Sequence, residues 1–190
     1  VILADHSAAR RFDVGFDEHR SFRPIFHLTF WPAIDKVQVR FIGEIANTEA
    51  LQDERYSLQL FLGHNDPELV YSHSTFTHHG RTRWTRSFWH GGAPSAISID
   101  HNIEYLVTTG LIPNYDAARA VSGEAIRSAY DSWLEKGRDL YDSGNWTRAM
   151  HTAGGRPEIG PYPTWSVRWL YTGDPRMQEK AFGNADLPAA

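Results

Sequence analysis

The segment "RYSLQLFLGH", residues 55–64, decides the reading of the fold. Tyr56, Leu58, Leu60 and Leu62 recur at every second position, with Ser57, Gln59 and Phe61 between them. Alternate residues fall on one side only in a strand, so this period of two predicts a strand with one buried face. Upstream, "KVQVRFIGEIAN" (36–47) sets Val37, Val39 and Phe41 against Gln38 and Arg40, and "PIFHLTFWP" (24–32) is β-branched and aromatic. Downstream, "ELVYSHSTFTHH" (68–79), "TRWTRSFW" (82–89) and "SAISID" (95–100) have the same texture. Six strand-like segments, broken by turn-rich stretches such as "NTEALQDE" and "GHNDPE", predict an antiparallel β-sandwich or barrel-like sheet pair over residues 22–100.

Beyond Asp100 the period lengthens. "HNIEYLVTTGLIPNYD" (101–116) predicts a short helix closed near Gly110. "SGEAIRSAYDSWLEKGRDLYDSG" (122–144) predicts a helix over 123–141, with Ile126, Tyr130, Trp133, Leu134 and Tyr141 along one stripe and Ser122 as its cap. After the Gly/Pro-rich "TAGGRPEIGPYP" (152–163), "TWSVRWLYTGDPRMQEKAFGNAD" (164–186) predicts a helical hairpin. Gly173 ends its first helix, Asp174 caps its second, and Pro175 opens that second helix. Strands first and helices last make the chain α+β. The expected divisions are an N-terminal arm at 1–21, a β-sandwich domain at 22–110, a linker and long helix at 111–150, and a helical hairpin at 151–190.

Composition narrows the function. The net charge of −4 and the absence of clustered Lys and Arg argue against nucleic acid. No run approaches the ~18 apolar residues of a membrane span. The chain has no cysteine, which excludes disulfides and thiolate ligands. Ten histidines are scattered without the H-x-x-x-H spacing of a helical zinc site, so no metal is expected. "GGRPEIG" lacks the Lys and Ser or Thr of a phosphate cradle, so no nucleotide cofactor is expected.

Two stretches carry candidate ligand residues. In "RTRWTRSFWHGG" (81–92) a strand puts Trp84, Arg86, Phe88 and His90 on one face, and leaves Trp89 on the other as an exposed ring beside flexible glycines. Exposed aromatic faces near loops suit sugar rings, so Arg86, Trp89 and His90 are candidates for carbohydrate binding. In "MHTAGGRPEIGPYPTW" (150–165), Arg156, Tyr162 and Trp165 are further carbohydrate candidates. His151 and Glu158 supply the imidazole and carboxyl that hydrolysis or elimination would need. "SIDHNIEYL" (98–106) groups Asp100, His101, Asn102 and Glu104, residue types that also cap helices.

The phrases "RWTRSFWHGGAPSAISIDHNIEYL" and "TAGGRPEIGPYPTWSVRWLYTGDPRMQEKAFGNAD", joined by the helix after "SGEA", resemble bacterial carbohydrate-active proteins in which a β-sandwich precedes an (α/α) toroid. The resemblance implies a module that binds carbohydrate or supports a catalytic helical domain. It implies that residues 151–190 begin a toroid whose other hairpins lie in a missing segment or another chain. On this basis the chain alone is not expected to be catalytic, and a secreted or periplasmic compartment is favoured. Two alternatives stand beside it: an assembly protein whose sheets and helical tail contact other subunits, and a glycoside hydrolase or polysaccharide lyase using His151 and Glu158.

Overall fold

The alternation at 56–62 becomes strand β3 (Glu54–Leu62), with Tyr56, Leu58 and Leu60 buried and Ser57, Gln59 and Phe61 exposed. The computed structural model describes residues 22–45, 53–63, 65–147, 156 and 158–187. The expected N-terminal arm and His151 lie outside the described residues. Strands β1 (Phe22–Trp31), β2 (Lys36–Ile45), β4 (Glu68–His78) and β5 (Arg83–His90) complete the strand-rich part. Helices α1 (Ile103–Thr108), α2 (Gly123–Leu134), α3 (Thr164–Thr172) and α4 (Pro175–Asp186) follow. The chain is α+β, strands first and helices last, and it divides into two units, 1–94 and 95–190. Among the described residues no helix is long and apolar enough to cross a membrane.

In the first unit β1, β2 and β5 form a three-stranded antiparallel sheet in the order β1-β2-β5, while β3 and β4 pair separately as an antiparallel hairpin. Large rings join the two sheets. Phe22 of β1 packs on Tyr56 of β3 with centroids 4.7 Å apart, and Trp84 of β5 lies 5.7 Å from Tyr71 of β4. Phe41 fills in beside Trp84 at 5.2 Å and Phe26 at 5.4 Å. Burying a large apolar side chain of this kind contributes roughly 1.5–3 kcal/mol. Gly43 is paired with Trp84 across β2 and β5, and a Cβ there would come within 2.9 Å of the indole nitrogen.

Strand β4 carries an extra residue between the pairs Tyr56–Phe76 and Leu58–His73. A bulge of this kind shifts the side-chain alternation by one. Tyr71 and His78 have opposite parity, yet both are buried.

The second unit is built on α2 and α4, with Ile126, Ala129 and Met177 in a core flanked by Val121, Tyr130 and Trp169. The capping chemistry is as expected. Ser122 accepts from the Ala125 amide, Asp174 accepts from the Arg176 amide, and Gly173 closes α3 at φ 57°. Both helices of the hairpin fall where the sequence places them.

Three expectations need correction. "SAISID" is not a strand: its Ile99 amide donates to the Gly173 carbonyl at 3.1 Å, and the segment groups with the helices after residue 94. Helix α2 stops at Leu134 and does not reach 141. The Asp142 carboxylate captures the Asp139 amide at 2.7 Å, and Tyr141 takes a left-handed φ of 65°, so the chain turns instead. Among the described residues, five of the six expected strands form.

Candidate functional site

On β5 the expected cluster is dispersed. Arg86 lays its guanidinium over the Tyr71 ring, 5.0 Å from the centroid, which accounts for a cation on an aromatic face. Trp89 is half-buried and lies across from Gln38, on the opposite side of the sheet from Arg86 and from the exposed His90. The three residues therefore do not share a surface, and Trp89 is less open than the sequence suggests.

Of the 156–165 candidates, Arg156, Glu158 and Trp165 meet the Trp146–Thr147 segment as a support, and Tyr162 stands apart from them. Arg156 directs Nε and Nη2 to one oxygen of Glu158, at 3.0 and 2.7 Å, and Nη2 also donates to the Thr147 carbonyl at 3.1 Å. A hydrogen bond from the Thr147 side chain and then the Arg156 guanidinium hold the Glu158 carboxyl down to about 2. A carboxylate fixed in this way stays ionised and has no proton to give as a general acid. Trp165 is buried, edge-on to Trp146 at 5.2 Å. Tyr162 keeps a partly open ring and donates its hydroxyl to the Leu111 carbonyl at 3.0 Å.

Arg156, Glu158 and Trp165 brace an open cleft of about 580 Å³ beside the end of α2, walled by Ser132, Lys136, Gly137, Asp142, Ser143, Gly144, Asn145, Trp146 and Thr147. Trp146 is 40% exposed. Its indole N–H is spent on the Asn184 carbonyl at 3.2 Å, so its side chain offers solvent a carbon surface. Asn184, buried on α4, also accepts from the Asn145 amide at 3.0 Å and donates to the Lys180 carbonyl at 2.8 Å. One buried residue thus fixes two adjacent cleft residues, Trp146 through its main-chain carbonyl and Asn145 through its side-chain oxygen. Gly144, at φ 52°, makes the turn possible: a Cβ there would meet Asn184 Oδ1 at 2.8 Å. The buried Asn145 Oδ1 has no hydrogen-bond donor among the described residues.

Sequence reading missed Trp146. It sits in "DSGNWTR", beyond the expected helix over 123–141, where no period governs the chain. The signal was an isolated Trp among Ser, Gly, Asn and Thr, a loop composition in which a large ring has no local reason to be buried.

A second cleft of about 500 Å³ lies beside "SIDHN", reaching Glu104, Arg119 and the end of α3. There Asp100 accepts from the Asn102 amide at 2.9 Å, and Asn102 accepts from the Tyr105 amide at 3.1 Å, so both act as local caps. His101 packs edge-on to Trp169 at 4.6 Å. Among the described residues no group of three or more His, Asp or Glu is placed to hold a metal ion. No protein family, curated protein sequence or solved structure matches the chain.

Proposed function

We propose that the chain is a carbohydrate-binding module of a polysaccharide-processing protein, taking a sugar ring in the Trp146 cleft. The observation that carries this reading is the anchored, partly exposed indole among polar groups. Pyranose rings have an apolar C–H face and a rim of hydroxyls, so they need a carbon platform and donors and acceptors beside it. Trp146 supplies the first; Ser132, Ser143, Asn145, Thr147, Asp142 and Lys136 supply the second. Glycoside hydrolysis ordinarily needs two carboxyls across one bond. Among the described residues this cleft has a single acidic side chain, Asp142, already engaged with the Asp139 amide, which favours binding over turnover. The meeting of rings between the two sheets fits a sandwich-like pair, and the α3–α4 hairpin fits the opening of an (α/α) toroid.

The test is titration with neutral and acidic oligosaccharides, followed by tryptophan fluorescence and calorimetry. Binding in the millimolar range or tighter is expected, with Trp146→Ala weakening it about tenfold, equivalent to about 1.4 kcal/mol. Trp89→Ala should bind as the parent does. No heat and no spectral change with any glycan would remove the reading.

A second reading, subunit assembly, is favoured by one feature. Phe30, Trp31 and Ile34 stand about half exposed around the turn between β1 and β2. Sedimentation of the parent and of Trp31→Ser separates the two readings. Self-association that Trp31→Ser abolishes supports assembly, and a monomer at every concentration rules against it.

A further inference from the structure

His78 ends β4 and is completely buried, at 0% exposure. Its Nε2 lies 3.1 Å from the Thr82 carbonyl, which can only accept, so the ring hydrogen sits on Nε2. The lone pair is then on Nδ1, where the Tyr56 hydroxyl donates to it at 3.0 Å. That hydroxyl oxygen in turn accepts the Trp84 indole N–H at 3.2 Å. The Thr82 carbonyl also receives the Ile45 amide at 3.1 Å, and the Arg81 amide donates to the Ile45 carbonyl at 3.0 Å. One neutral imidazole therefore links β3 and β4 of one sheet to β2 and β5 of the other, with Phe22 of β1 edge-on above it at 6.2 Å.

We propose that His78 is an acid-released joint between the two sheets. A second proton can go only to Nδ1. There the new N–H points at the hydroxyl that was donating to Nδ1, so the Tyr56–His78 hydrogen bond must be broken or reversed in a buried site whose oxygen already accepts from Trp84. Few charges are near enough to compensate. His79 adjoins it on β4 and pairs with Asp53 at 2.9 Å when protonated; Glu54 is its cross-strand neighbour on β3; Arg81 is in the following turn. Phe22, Ile45 and Trp84, from β1, β2 and β5, bring none. Burial is the main reason that His78 is held below its ordinary value of 6.5; the Thr82 carbonyl opposes it and His79 adds to it. The folded state thus refuses a proton that the unfolded chain accepts. The stabilisation is complete above pH 6.5 and is lost as the pH falls below it.

The experiment compares the parent with His78→Gln, whose amide can donate to Thr82 and accept from Tyr56 but does not titrate. Thermal melts and near-ultraviolet circular dichroism are recorded between pH 7.5 and 5. The parent should lose several degrees of melting temperature and its aromatic dichroism over that range, while His78→Gln should lose less than half as much. Parallel losses in the two proteins would overturn the proposal. If His78→Gln does not fold, ¹H–¹⁵N spectra of the parent's histidine side chains decide. An Nε2–H tautomer that titrates below 6.5 is expected; an Nδ1–H tautomer, or titration at or above 6.5, overturns it.

Discussion

Gly183 in the interior of α4 reads in sequence as a flaw, since glycine weakens a helix by roughly 1 kcal/mol relative to alanine. Its neighbour explains it. A Cβ at Gly183 would stand 2.3 Å from Cζ2 of Trp133, so the indole lies directly against bare backbone. Trp133 is buried there, with its N–H 3.3 Å from Glu179 and the Arg138 guanidinium 5.3 Å from its ring centroid. Gly183→Ala gains helix propensity but forces the ring away from these partners, and overpacking of this kind costs about 1–3 kcal/mol. We expect a lower melting temperature for Gly183→Ala. Gly123→Ala, with nothing within 4 Å and an ordinary φ, should leave it unchanged or slightly raised. Equal behaviour of the two in differential scanning calorimetry would show that the contact does not matter. A close approach is a tertiary fact, and no local pattern announces it. The same reason hid Trp146, whose anchor, Asn184, is 38 residues away.

Elements were legible where one period governed them. β3 could be read residue by residue, and the caps of α2, α3 and α4 followed from Ser122, Gly173 and Asp174. Periodicity failed in β4, where the bulge inverts the faces between Tyr71 and His78, and at "SAISID", whose hydrogen bond goes to Gly173. It also failed on the buried face of α4. That face runs Met177, Lys180, Ala181, Asn184, the i, i+3, i+4, i+7 spacing of a core stripe, but half of it is polar. Hydropathy places Lys180 in solvent. In the fold its ammonium donates to the Ala129 carbonyl of α2 at 2.8 Å, and burial, with Arg168 and Lys136 nearby, pushes its value down to about 8. Ala129 lies within α2, where helical bonding serves its carbonyl without Lys180. A buried charge without a carboxylate gives little net stability. Lys180→Met, similar in length and apolar, should therefore melt at or above the parent temperature at pH 7. A fall of more than a few degrees would show that the ammonium is needed to hold α2 to α4.

At the scale of the whole molecule, "strands first, helices last" could be read from the chain, and the grouping of 95–110 with the helices could not. It depends on Ser98 and Ile99 meeting Gly173, more than seventy residues on. Four ionisable groups of the helical unit, Glu158, Asp174, Lys180 and Tyr130, give stability a definite pH profile. Below pH 4.5 the protein loses what Glu158 contributes, because the unfolded carboxyl takes a proton that the folded one refuses until about 2. Asp174, held low chiefly by its hydrogen bond from Arg176, acts in the same direction below 3.8. On the alkaline side Lys180 and Tyr130 oppose each other. Between about 8 and 10.5 the unfolded lysine is protonated and the folded one is not, so stability rises with pH. The Tyr130 hydroxyl donates to Glu179 at 2.6 Å, and this hydrogen bond is the main cause that pushes its value up to about 12. Above 10 the unfolded tyrosine loses a proton that the folded one keeps, so stability falls with pH. The urea midpoint should accordingly peak at about pH 10, well above the sequence isoelectric point of about 6.2. Lys180→Met should flatten the rise above pH 8, and Tyr130→Phe should reduce the fall above pH 10, leaving the smaller part due to Tyr115, which burial also raises. A parent midpoint that declines steadily from pH 8 would mean that Lys180 is charged in the folded protein, and that the α2–α4 interface carries that charge at little cost.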